Sequence, residues 1–266
     1  MNGPAFVACD QPNRFIATPA AGGPWTATHC HGGAPAGLLA HIAEAHGADT
    51  PMSTARFTAD FLRPTPIGPE LEVRTKVVRN GRQTRAIELE LITNDQTLVR
   101  ASALMVRQLE GRETPGGIDR QPPSDGRHRA MPGGFSEQFS IVPCIGGFGH
   151  LGPAQVWFRM ESPLIDQQLP NAVARAVASA DFASGIAADL SFRDWTYPSL
   201  DLSIGFLRPP EAGWILLQSH WLPHAGGRTV CVTVLGDCIG PFAHATQTVM
   251  INARSGQTQA PPSLGV

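Results

Sequence analysis

The 266-residue chain reads as an α+β protein built from two tandem copies of one unit, each an antiparallel sheet wrapped around a central helix. Three observations predict this. The corner Phe61-Leu62-Arg63-Pro64 returns 145 residues later as Phe206-Leu207-Arg208-Pro209. Both corners end period-2 runs: Ala55, Phe57, Ala59 and Phe61 alternate with polar residues, as do Leu200, Leu202, Ile204 and Phe206. Such runs are strands with one buried face, each stopped by a proline that cannot donate a ladder hydrogen bond. Finally, a helical pattern rich in small residues precedes each corner, and three further strand-like runs follow it.

Taken in order, "RFIATPAAGGPWTATHCHGG" reads as a strand, a Gly-Gly-Pro turn and a second extended piece. "GGAPAGLLAHIAEAHGA" reads as a helix, with Leu38, Leu39, Ile42 and Ala45 at 3–4 spacing and Gly47 as its stop. The first corner strand follows. "ELEVRTKVV", Asn80-Gly81 and "QTRAIELELIT" form a hairpin signal, and "NDQT" turns the chain into "LVRASALMVRQ". The pattern predicts strand, helix, then four strands in a meander. Pro, Gly and charge dominate the next segment, read as a connector whose later part, "SEQFSIVPCIGGFGHLG", packs as a flap. The order then restarts with "AQVWFRMESPL", the helix "NAVARAVASADFASGIAADL", the second corner strand and three more strands. The expected division is a first unit over 1–110, a connector over 111–153, a second unit over 154–253 and a flexible tail over 254–266. A lone unit leaves a sheet edge unpaired, and two units side by side can share one sheet.

Composition narrows the function. Hydrophobic residues make up 42% of the chain, enough for a substantial core, and the net charge is −2. No Lys/Arg cluster offers phosphate contacts, so nucleic acid is not an expected partner. Lys76 is the only lysine, against nineteen arginines, and sits in a strand pattern unsuited to a nucleophile. Five scattered cysteines without C-x-x-C read as thiols in a reducing compartment. No signal-peptide pattern or membrane-length apolar run is visible, so the expected location is the cytoplasm.

One acid stands apart. Asp181 is the only acid between Asp166 and Asp189, on a helix otherwise made largely of Ala, Val, Ser and Phe. A carboxylate there is expected to lose its own hydration and act as a stronger base toward a single water. The alternative is an Asp bonded to nearby backbone or facing solvent.

"GGPW…HGG" before the first helix, "ASADFASG" in the second, "LDLSIGFLRP" after it and "ATQTVM" in the last strand together resemble the thioesterase II-like acyl-CoA thioesterases. The resemblance covers most of residues 12–252 outside the connector. It implies a double-hotdog fold and hydrolysis of an acyl-CoA thioester to free acid and CoA, in fatty acid metabolism, without a cofactor. In that family an Asp on the second helix, a Thr or Ser before the following strand and a Gln in the last strand activate a water. The matching residues are Asp181, Ser199 and Gln247; the family more often has Thr where this chain has Ser199, and serine keeps the same donor and acceptors. In the first copy Ala103 stands where Gln247 stands in the second, and Glu44 lies at the far end of its helix. The expectation is one site per chain, built mostly from the second copy, with the first supplying a wall of the acyl channel. Backbone N–H groups near Gly32 and Gly33 are expected to hold the oxyanion.

Other signals weigh less. His29 and His31 flank Cys30 on a strand-like piece, but no further ligands follow at metal spacing, so no metal is expected and polar packing is the plainer reading. Neither G-x-S-x-G nor G-x-G-x-x-G occurs in a strand–helix context. Trp157, Trp195, Trp214 and Trp221 are read as core. Two alternatives remain: a hotdog hydratase or dehydratase, weakened because Asp181 has no histidine within six residues, and a non-catalytic acyl-thioester binding protein. Self-association into a homo-oligomer is expected from the outer sheet edges.

Overall fold

The computed structural model describes residues 3–47, 50–109, 121–123, 133–168 and 170–254. The first half contains β1 (Phe6–Ala8), β2 (Arg14–Ala17), α1 (Gly33–Ala45), β3 (Met52–Phe61), β4 (Glu70–Asn80), β5 (Thr84–Thr93) and β6 (Gln96–Arg107). The second contains β7 (Phe139–Ile145), β8 (Ala154–Met160), α2 (Ala172–Ala180), α3 (Ala183–Ile186), β9 (Trp195–Thr196), β10 (Asp201–Phe206), β11 (Ile215–Trp221), β12 (Arg228–Gly236), β13 (Pro241–Met250) and β14 (Asn252–Ala253).

Among the described residues, twelve strands form one sheet in the order β1-β2-β4-β5-β6-β3-β10-β13-β12-β11-β8-β7. The second half mirrors the first about the seam between β3 and β10. At that seam the two repeated strands pair antiparallel, with Asp60 opposite Asp201 and Phe57 opposite Ile204. The repeated corner is thus the join between the copies. The fold is the expected α+β double hotdog, with α1 and α2 packed side by side inside the curved sheet.

Three expectations change. The four strands after each helix are not a simple meander: β3 pairs with β6 and β10 with β13, so only the last three strands run as successive neighbours. The corner prolines explain this. Pro64, Pro66 and Pro69, or Pro209 and Pro210, fill the connection and disfavour a tight hairpin back onto the next strand. Two strands rather than one precede each helix, β1-β2 and β7-β8. Finally, the connector expected over 111–153 contains β7, an edge strand on β8 rather than a flap. Its Pro143 is tolerated because an edge strand can spare a ladder donor. Residues 110–120 and 124–132 of that connector, and the tail beyond Arg254, lie outside the described residues.

The buried faces follow the period-2 pattern with one slip. Phe57 and Ala59 are buried in β3, but a bulge between Thr54 and Arg56 turns Thr54 inward in place of Ala55. At the sheet's outer end, Phe6 donates its N–H to Leu164 O (2.9 Å) and accepts from Asp166 N (2.9 Å). A segment of the second half therefore covers part of the β1 edge. No helix among the described residues is long and apolar enough to cross a membrane.

Candidate active site

Small residues bring the two helices close. Gly33 and Gly37 of α1 face Ala174 and Ala178 of α2, and a Cβ on Gly33 would stand 2.5 Å from the Ala178 carbonyl oxygen. Only a glycine permits that approach. The start of α1 thereby lies on the end of α2, and a Cβ on Gly32 would stand 2.8 Å from Asp181 Oδ2. Asp181 faces the positive end of the α1 dipole.

Asp181 is the residue on which α2 ends. The sequence reads as one continuous helix, but the chain tightens there: Phe182 N–H donates to Ser179 O (3.1 Å), a three-residue step, before α3 resumes. The ring of Phe182 is set among Phe158 (5.1 Å between centroids), Phe139 (5.2 Å) and His31 (4.2 Å). This packing anchors the residue after Asp181.

The three residues expected from sequence meet around one amide. Gln247 lies on the inner face of β13, fully buried, in the row Ala243, Ala245, Gln247, Val249. Its Nε2 donates to Asp181 Oδ1 (3.0 Å) and to Ser199 Oγ (2.8 Å). Its Oε1 accepts from Ser184 N–H (3.2 Å), which fixes the orientation of the amide, since a backbone N–H can only donate. Ser199 precedes β10, bridged to Val249, and its hydroxyl lies 3.3 Å from Ser184 Oγ. Trp221 Nε1 donates to Ser184 O (3.1 Å), so α3 is held from both sides.

Two residues outside the expected trio belong here. Ser184 holds the Gln247 amide, and a serine in "DFASG" three residues after the acid was the available signal. His31 is the larger surprise: its Nδ1 lies 3.0 Å from Asp181 Oδ2, with both side chains mostly buried. The first copy therefore supplies more than a channel wall. Sequence proximity could not reveal this, because the partners are 150 residues apart. Asp181 has no histidine within six residues of sequence, but it has one beside it in three dimensions. His29, its apparent twin, turns to Thr26 Oγ1 (2.7 Å) instead. His31 Nδ1 also accepts from Gly33 N–H (3.1 Å).

Two thiols flank the site. Burial pushes Cys30 and Cys231 each up to about 12. Cys231 lies across from Gln247 on β12. Both remain protonated at neutral pH, and a thiol is a poor nucleophile. Of the tryptophans, Trp157 and Trp214 form a separate buried cluster with Leu216, while Trp221 joins the site through Ser184.

Comparison with known proteins gives a consistent picture. Residues 21–106 match the family model for the acyl-CoA thioesterase N-terminal domain, and residues 115–251 the one for the acyl-CoA thioesterase C-terminal domain. No curated protein sequence matches. Among solved structures, the chain is similar to the acyl-CoA thioesterase II TesB2 from Mycobacterium marinum, at 16% identity and a TM-score of 0.69, covering 94% of this chain and 96% of that one. It is also similar to a hot dog fold protein of unknown function from Alicyclobacillus acidocaldarius, at 16% identity and a TM-score of 0.74, over the same shares. A third similar structure is a tesB protein from Mycobacterium avium subs paratuberculosis, at 15% identity and a TM-score of 0.64, covering 92% and 95%. At such identities the structures speak for the fold.

Proposed function

This chain belongs to the acyl-CoA thioesterase family and is a thioester hydrolase, and from that premise we propose that it hydrolyses acyl-CoA by general-base activation of water at Asp181, with Ser199 and Gln247 orienting the water. One observation carries the reading: a single buried amide nitrogen, Gln247 Nε2, is bonded at once to a carboxylate and a hydroxyl from different elements. Acid, hydroxyl and amide thus converge at one point of an apolar interior.

The chemistry follows from these groups. Asp181 takes a proton from water as the water oxygen attacks the thioester carbon. Negative charge builds on the former carbonyl oxygen, and N–H groups at the start of α1 are the proposed donors, with Gly33 N–H turned to His31 Nδ1 in this structure. The C–S bond then breaks and CoA leaves as thiolate, taking up a proton as free thiol. The neighbouring thiols, held protonated by burial, do not compete with water as the nucleophile.

The test is thiol release from a panel of acyl-CoAs, followed with a thiol reagent. Asp181→Ala is expected to lower kcat by about 10²–10⁴-fold, the usual worth of a general base. Ser199→Ala and Gln247→Ala lower it less. Wild-type turnover in Asp181→Ala overturns the assignment. Silence of the wild type across the panel, with thermal stabilisation by the same ligands, points to a binding protein instead. The His31–Asp181 contact favours a second reading, hydration of an unsaturated acyl-CoA; loss of enoyl absorbance without thiol release would identify it. One site per chain, a role in fatty acid metabolism in the cytoplasm and self-association complete the reading, with the units divided near 1–110 and 154–253 and β7 attached to the second. A solution mass near 28.3 kDa would refute self-association.

A further inference from the structure

One ring nitrogen faces two claims that it cannot meet together. Gly33 N–H points at His31 Nδ1 from 3.1 Å, and Asp181 Oδ2 lies 3.0 Å from the same atom. The Nδ1 position holds either a lone pair or a proton. With a lone pair it accepts from Gly33, and an ionised Asp181 then confronts it acceptor to acceptor. With a proton it donates to Asp181, and Gly33 N–H loses its acceptor.

The second state leaves a free backbone donor at the start of α1, beside the carboxylate. Gly32 N–H also has no hydrogen-bond partner among the described residues. Resting on Asp181 as the base, we propose that His31 is a positioning residue that latches the oxyanion donor. A bare Nδ1 ties up Gly33 N–H, and a protonated Nδ1, bonded to Asp181, releases it toward the thioester oxygen. One proton thus sets both halves of the site, holding the base and freeing the oxyanion donor.

The packing around His31 keeps the device simple. Phe135, from the 3₁₀ turn Gly134–Gln138, lies 5.7 Å away between ring centroids, and Phe182 lies 4.2 Å away. Gly33 meets it from its own helix and Asp181 from the end of α2. Cys30, its chain neighbour, is held as a neutral thiol by burial. Among these groups Asp181 is the one that shares the claim on Nδ1 with Gly33 N–H.

The sign follows. Wherever the Nδ1 proton itself is removed at high pH, Gly33 holds the lone pair and the oxyanion loses a donor. Loss of one such donor costs about 10²–10³-fold in kcat. The wild type is therefore expected to show an alkaline fall in kcat with little change in KM. His31→Asn presents an amide N–H to Asp181 at every pH, so its alkaline fall disappears. His31→Ala lowers kcat throughout. The independent readout is NMR on the wild type with ¹⁵N-labelled histidine and glycine: the Gly33 amide shift is expected to move in step with the His31 ring nitrogens. A Gly33 amide that stays still while the ring titrates, a neutral ring protonated on Nδ1, or a wild-type alkaline fall surviving in His31→Asn each overturns the latch. A wild type without hydrolysis at any pH defeats the thioesterase reading instead, and the amide titration then decides the latch alone.

Discussion

Gly33→Ala tests the physical claim on which the site's geometry rests, that the start of α1 is seated directly on the end of α2. In a helix interior, replacing glycine by alanine usually stabilises by about 0.8–1 kcal/mol. Gly33 is the first residue of α1, where that gain is small, and its added Cβ would stand 2.5 Å from the Ala178 carbonyl oxygen. Ordinary contact begins at 3.4 Å, so α1 must lift by about 0.9 Å. Neither side yields easily, because the obstructing atom is backbone. Overpacking of this kind costs about 1–3 kcal/mol. For a chain of this size that is a fall in Tm of about 2–12 °C. The same lift moves Gly32 and Gly33 N–H away from Asp181, and a displacement near 1 Å can cost about 10²-fold in rate. The assay pairs thermal unfolding with acyl-CoA hydrolysis. Gly205→Ala is the control: its Cβ meets nothing within 4 Å, so both readouts should stay close to wild type. An unchanged Tm and rate in Gly33→Ala would refute the account of the helix junction.

Gln247→Leu keeps the volume but strands the Ser184 N–H, so a loss of about 1–3 kcal/mol should appear in denaturant unfolding together with a fall in kcat; a stability equal to wild type would argue against the network. Arg208 of the second corner forms a bidentate pair with the fully buried Asp237. Burial pushes the Asp237 carboxyl up, but hydrogen bonds from Arg208 and from Glu211 and Ile239 N–H outweigh it and hold it below its ordinary value. A depressed carboxyl stabilises the fold above its unfolded value and stops doing so as pH falls through its folded one, so acid unfolding should show this contribution lost on the acid side. Arg208→Leu leaves a lone buried charge and should cost about 3–5 kcal/mol at neutral pH, measured by urea titration; a loss below 1 kcal/mol would contradict it. Cys30 and Cys231, each pushed up to about 12 by burial, should resist iodoacetamide at neutral pH while the exposed Cys144 and Cys238 are alkylated, as read by peptide mass spectrometry; equal rates would show that burial does not protect them.

What the sequence disclosed depended on whether the cause was local. Alternation in the two corner strands is a period-2 signal confined to a few residues, and it survives in both copies, so the duplication and the shared sheet were legible. The lone Asp181 stood out for the same reason, on a helix otherwise made of small and apolar residues. Strand neighbours were less accessible: adjacency in sequence favours β3 beside β4, and only the proline-filled connection hints that β3 crosses to β6. β7 was hidden by the Pro, Gly and charge that dominate the segment before it, which reads as a connector. The break after Asp181 was hidden by alanine-rich propensity, which favours a continuous helix. The packing of Phe182 against three rings overrides it. His31 had no local signature, since its partner is supplied by the other copy.

Duplication also bears on the proposal of a single site. The two helices run antiparallel, so they meet at two junctions, one at each end. At the first, Gly33 fits under Ala178 and Asp181 faces His31. At the second, Asn171 begins α2 and its Nδ2 donates to the His41 carbonyl (3.2 Å), and no carboxylate among the described residues is bonded to it. Glu44, on the last turn of α1, accepts from the Thr54 hydroxyl instead. The sheet tells the same story. Gln247 of β13 stands opposite Cys231, whereas Ala103 of β6 stands between Ile87 and Phe57, all buried. A polar trio there would have no partners and would be strongly disfavoured. The surviving junction draws His31, Gly32 and Gly33 from one copy and Asp181, Ser199 and Gln247 from the other. Neither copy contains the constellation alone, so the β3–β10 seam that joins the copies is also what holds the proposed base and the proposed oxyanion donor in one frame.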